Sequence, residues 1–107
     1  MPAKPVDAAT LKVWLDSGQA CLVDVREPAE HAAERISGAA SVPLGGICSA
    51  KLPEGAGKKL VIHCLKGGRG NAACEKLLAE NPQLEIYNLE GGIEAWKSLG
   101  YPTARAA

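Results

Sequence analysis

The chain has 107 residues, which suits a single compact domain spanning residues 1–107 that buries roughly two thirds of the surface its unfolded form exposes. At 47% apolar, 22% charged and 4% aromatic residues it is too hydrophobic for a disordered chain, and no apolar run approaches the roughly 18 residues that a membrane span needs. Twelve basic side chains balance twelve acidic ones, so no overall field draws the chain to nucleic acid or to an anionic membrane.

Met1 to Pro5 leads into a charged segment without the apolar stretch of about 7 to 15 residues that marks a signal peptide, so a cytoplasmic protein is expected. Asp7 can cap a helix whose Leu11, Trp14 and Leu15 share one face, with Gly18 as its stop. Cys21 to Val25 reads as a short buried strand, and Pro28 suits the first turn of a helix through about Glu34, with Gly38 closing the unit. Ala40 to Val42 predicts a brief strand, Leu44 to Lys51 a short helix, and Pro53 to Gly57 a turn. Lys59-Leu60-Val61-Ile62-His63 is the clearest strand. A helix follows from Asn71 to about Glu80, stopped by Asn81-Pro82; Leu84 to Leu89 forms the last strand. Gly91-Gly92 turns into a helix that ends at Gly100, with Ile93, Trp96 and Leu99 on its inner face. Strands alternating with helices predict right-handed crossovers and a mainly parallel sheet covered on both faces.

Cys64-Leu65-Lys66-Gly67-Gly68-Arg69-Gly70 joins the clearest strand to a helix. Ligands of open α/β sheets bind at the carboxyl ends of strands, where a helix N-terminus offers unpaired N–H groups and partial positive charge. Gly67, Gly68 and Gly70 let the loop curl into an anion-binding nest, and Lys66 and Arg69 add charge at its rim. From Lys58 to Arg69 there are four basic residues and no acidic one. The thiolate is the nucleophilic form of cysteine, and cations and helix N-termini favour it, so Cys64 is the expected nucleophile.

With this loop in view the chain resembles the rhodanese family of sulfurtransferases. CLKGGR is similar to the family's active-site loop; LVDVREPAEH and ISGAASVPL resemble its first strand and the Gly-Ala and Pro-Leu segment that follows; LEGGIEAWKSLGYPT resembles its C-terminal signature. The resemblance implies a three-layer α/β/α domain with a mainly parallel five-stranded sheet. It implies a Cys64 persulfide that carries sulfane sulfur from thiosulfate or a persulfide donor to cyanide or a thiol, with Leu65, Lys66, Gly67, Gly68, Arg69 and Gly70 binding substrate. Related phosphatases have a loop one residue longer, which favours sulfur transfer here. Leu65 stands where arginine is frequent in the family, while Lys66 matches a lysine of some thiosulfate-using relatives. The resemblance also implies that Asp24 and Arg26 support the loop structurally. A relay module loaded with sulfur by a partner protein is the alternative reading.

No metal or organic cofactor is expected: there is no Cys-x-x-Cys pair, and His31 and His63 do not combine with the cysteines at zinc-finger spacing. Arg69 can also give its guanidinium to a carboxylate that fixes the loop. Cys21, Cys48 and Cys74 read as packing or loop thiols, all four cysteines as free. Strand alternation turns the His63 ring away from the Cys64 side. Trp14 and Trp96 read as core anchors, and His31 as a solvated helix residue.

Overall fold

The computed structural model describes residues 3–48, 51–52 and 58–105. It runs β1 (Lys4–Val6), α1 (Ala8–Asp16), β2 (Ala20–Asp24), α2 (Pro28–Ala33), β3 (Ala40–Ser41), a 3-10 turn at Leu44–Gly46, β4 (Lys59–His63), α3 (Gly68–Glu80), β5 (Ile86–Leu89) and α4 (Gly92–Ser98). The strands form one sheet in the order β1-β5-β4-β2-β3, every pairing parallel. The central β4 pairs Val23 with Ile62 and Asp24 with His63 on one side, and Val61 with Tyr87 on the other.

Alternation along the strands divides the core between the two faces. Leu22 and Val61 join Leu11 of α1 with Ile93 and Trp96 of α4, whereas Val23 and Ile62 join Ala73, Cys74 and Leu77 of α3. Covered on both sides, β4 buries Val61, Ile62 and His63 in succession, as a central parallel strand does. α1 starts where Asp7 accepts a 2.7 Å hydrogen bond from the Thr10 N–H. The layered α/β/α arrangement with five parallel strands is the one expected from the sequence.

Several local features differ from the sequence reading. β1 was not anticipated: it is a three-residue edge strand, the position at which Pro5 is tolerated in a sheet. Leu44–Gly46 is a 3-10 turn and Ile47 after it is extended (ψ 135°), so the helix expected over Leu44 to Lys51 does not run on through Ile47, while residues 49 and 50 of that stretch lie outside the described residues; Gly45 and Gly46 each lower helical stability by about 1 kcal/mol relative to alanine. Leu99 is the C-cap of α4 and 56% exposed, because the chain leaves the helix there instead of adding an inward position. α3 begins at Gly68, earlier than Asn71, and β5 begins at Ile86. The turn expected over Pro53 to Gly57 lies outside the described residues.

Candidate active site

Cys64 follows β4 directly and is 1% exposed, at the floor of the loop that leads into α3. Gly67 is the N-cap of α3 with φ 115° and ψ −22°, a conformation that side chains disfavour and glycine adopts freely. Its N–H donates to Cys64 Sγ at 3.0 Å, while its carbonyl accepts the Asn71 N–H at 2.9 Å, which begins the helix. The sulfur therefore meets a backbone donor at the positive end of a 13-residue helix.

The other side of the loop is held by α4. The Ile93 N–H donates to the Cys64 carbonyl at 2.9 Å and the Glu94 N–H to the Leu65 carbonyl at 3.2 Å. Across trans peptides, carbonyls turned onto α4 direct the Leu65 and Lys66 N–H groups the opposite way. Gly92 permits this approach: a Cβ there would run into the carbonyl oxygens of Cys64 and Leu65.

The loop side chains divide by role. Leu65 is half-buried and packs against the cluster that contains Ile93 and Trp96, so towards the loop mouth it offers backbone only. Lys66 and Gly68 are exposed, and Gly70 is buried. Arg69 donates to both carboxylate oxygens of Glu30, at 2.6 and 3.0 Å. Arg69 thereby holds the Glu30 carboxyl down at about 2, and the Arg69 guanidinium is more firmly protonated in turn. Glu30 also accepts the Glu27 N–H at the start of α2, in a capping box. Glu30 was not singled out from the sequence; a carboxylate 39 residues from its partner leaves no local signal.

Asp24 and Arg26 form a buried pair beside the strand end. Arg26 Nε and Nη2 donate to the Asp24 carboxylate at 3.0 and 2.8 Å, and Nη2 also donates to the Glu34 carbonyl. Burial alone would raise the Asp24 carboxyl, but the hydrogen bonds from Arg26 and the neighbouring histidines hold it below the usual carboxylate range. His31 is not the solvated residue expected: its Nδ1 lies 2.8 Å from Asp24 Oδ2 and its side chain is 17% exposed, because a buried carboxylate draws in a partner from α2. His63 is fully buried, with Nδ1 3.3 Å from the Cys64 carbonyl, and burial pushes it down to about 4.

All four cysteines are free. Cys74 is fully buried in the α3 cluster, and burial pushes its thiol up to about 12. Cys21 and Cys48 are half-buried. Trp14 packs edge-on to Tyr87 and Trp96 edge-on to Tyr101, each with ring centroids 5.0 Å apart. Among the described residues, no group of three or more His, Cys, Asp or Glu could hold a metal ion, and no helix is long and apolar enough to cross a membrane.

Sheet and loop together define an α/β/α domain with a cysteine cradle at a strand-to-helix turn. The family model described as a rhodanese-like domain matches residues 7–99, and the chain belongs to that family. It is 34% identical over 100 residues to a sulfurtransferase of Allochromatium vinosum, covering 91% of each chain. It is 38% identical over 96 residues to an uncharacterized protein of Synechocystis, covering 90% of this chain and 53% of that one. The chain thus spans about half to three fifths of the length of the first curated relatives it matches. The crystal structure of a rhodanese-related protein from Thermoplasma volcanium superposes with a TM-score of 0.80 at 30% identity, covering 94% of this chain and 97% of that one.

Proposed function

We propose that the protein is a sulfurtransferase of the thiosulfate-using, rhodanese type, and that Cys64 carries the sulfur. The observation that carries this reading is the Gly67 N–H on Cys64 Sγ at the N-terminus of α3, a donor placed where a sulfur anion forms. The Cys64 thiolate attacks the outer sulfur of thiosulfate, the sulfur–sulfur bond breaks, and its electron pair leaves with sulfite. Cyanide or a thiol then attacks the outer sulfur of the Cys64 persulfide, taking that sulfur and returning the thiolate.

Lys66 recognises the thiosulfate dianion. Glu30 already compensates Arg69, so among the described residues Lys66 is the loop cation without a carboxylate partner. Leu65, Gly67, Gly68 and Gly70 serve through backbone shape, and Asp24 and Arg26 act as structural support. Four free thiols suit a reducing compartment, the cytoplasm. The kinship with a sulfurtransferase of nearly the same length supports the reading.

Intact-mass measurement after incubation with thiosulfate and, separately, with an organic persulfide is the test. The expected result is a gain of one sulfur atom that Cys64→Ser abolishes while circular dichroism shows the fold retained. Loading by thiosulfate supports the enzyme; loading only by a persulfide makes the domain a relay fed by a partner. No loading by either, or loading that survives Cys64→Ser, refutes the proposal.

A further inference from the structure

Asn88 lies within β5, a strand whose other residues are Ile86, Tyr87 and Leu89. Its Nδ2 donates to the Gly67 carbonyl at 3.2 Å, alongside the Asn71 N–H. Its Oδ1 is buried with no hydrogen-bond partner among the described residues. The amide lies against the first turn of α3: a Cβ on Gly70 would run into Oδ1 and would stand 3.3 Å from Cγ. A buried acceptor without a donor is costly, and an apolar side chain would fill the same space without that cost. What offsets the cost is the donor half of the amide.

The Gly67 carbonyl is one end of the residue whose other end holds the sulfur. Glycine is the least constrained residue, and an N-cap glycine has no side chain with which to fix the start of its helix. We infer that Asn88 is a positioning residue for the sulfur cradle. By anchoring the Gly67 carbonyl from the neighbouring strand, it holds Gly67 in the left-handed conformation that aims the Gly67 N–H at Cys64 Sγ. Gly70 belongs to the same device, since only a residue without Cβ leaves room for the amide. The effect on turnover rests on the sulfurtransferase reading; the effect on the thiol does not.

The test is the pH profile of Cys64 alkylation by iodoacetamide, followed peptide by peptide, for the wild type, Asn88→Leu and Asn88→Ala. Opening of the loop changes the plateau rate, whereas loss of the donor to the sulfur moves the midpoint. Both variants should move the Cys64 midpoint to the alkaline side by about one pH unit, the tenfold change that loss of one ordinary hydrogen bond brings. The Cys21 and Cys48 profiles should stay in place. If Asn88→Leu fails to fold because of its bulk, the smaller Asn88→Ala decides alone. A folded variant that keeps the wild-type Cys64 midpoint overturns the inference, as does an equal shift at all three cysteines. Alkylation needs no sulfur donor, so a wild type that takes no sulfur from thiosulfate or persulfide would refute the sulfurtransferase reading and leave the role of Asn88 to be judged on the profiles.

Discussion

Glu30→Gln removes one negative charge, keeps the side-chain size, and so isolates the ion pair that ties α2 to the active-site loop. Arg69 holds Glu30 at about 2 instead of 4.5, which at full value corresponds to about 3.4 kcal/mol of folding free energy. The two side chains are 36% and 32% exposed, and solvent screening reduces this to about 1 kcal/mol. In a domain of this size that is a Tm lower by about 5 °C. The pH dependence has a definite sign. Folded Glu30 is more acidic than unfolded Glu30, so on acidification the unfolded chain takes up the proton first. The contribution is complete above 4.5, declines as pH falls from 4.5 towards about 2, and is lost below that. Thermal melts of wild type and Glu30→Gln, followed by circular dichroism at neutral pH and then in acid steps, should show a gap that narrows towards about pH 3. Equal Tm values at neutral pH, or a gap that persists unchanged in acid, would refute this account of the pair.

Lys66→Ala should impair sulfur loading from thiosulfate more than loading from a neutral organic persulfide, and added salt should reduce the wild-type advantage; equal losses with both donors would remove Lys66 from anion recognition. Gly67→Val forces a branched residue to φ 115°, while the space at its Cβ is ordinary, with the nearest atom 3.6 Å away. The backbone cost is about 1–3 kcal/mol, and thiosulfate loading should fall at least tenfold; unchanged loading would show that the glycine conformation is dispensable. His63 is held at about 4 in the folded protein against 6.5 ordinarily, so the unfolded chain binds the proton first and stability should fall as pH drops from 6.5 towards 4. His63→Asn should flatten that limb of the Tm profile, and an unaltered profile would exclude His63 as its source.

What the sequence revealed depended on whether a signal was local. Lys59 to His63 is an apolar run that passes straight into glycines, and the structure has β4 and the cysteine loop at those positions. Asp7 carries a cap signal that the Thr10 N–H answers. β1 is too short to show a period, and it exists because Lys4 to Val6 pairs with Tyr87 to Leu89 across the whole chain. The partners of the site are likewise distant in sequence: Glu30 on Arg69, His31 on buried Asp24, Asn88 on Gly67. Of these, Asn88 alone leaves a trace, as a polar residue inside an otherwise apolar or aromatic strand just before a glycine pair. Leu99 fits the apolar spacing of α4, yet the pattern does not show that the helix ends one residue earlier.

None of the residues of α2 is buried. The links seen there are polar: Glu30 to Arg69, His31 to Asp24, and, just past its end, the Glu34 carbonyl to Arg26 and the Glu34 carboxylate to Lys97 and Thr103. A helix held in this way lacks the apolar burial that makes the sheet strands open only with the whole domain. Its amides belong among the first to exchange with deuterated solvent, in a local opening that leaves the sheet intact. An opening of α2 would separate Glu30 from Arg69, so added salt, which weakens exposed ion pairs, should speed exchange of the α2 amides more than that of the sheet amides.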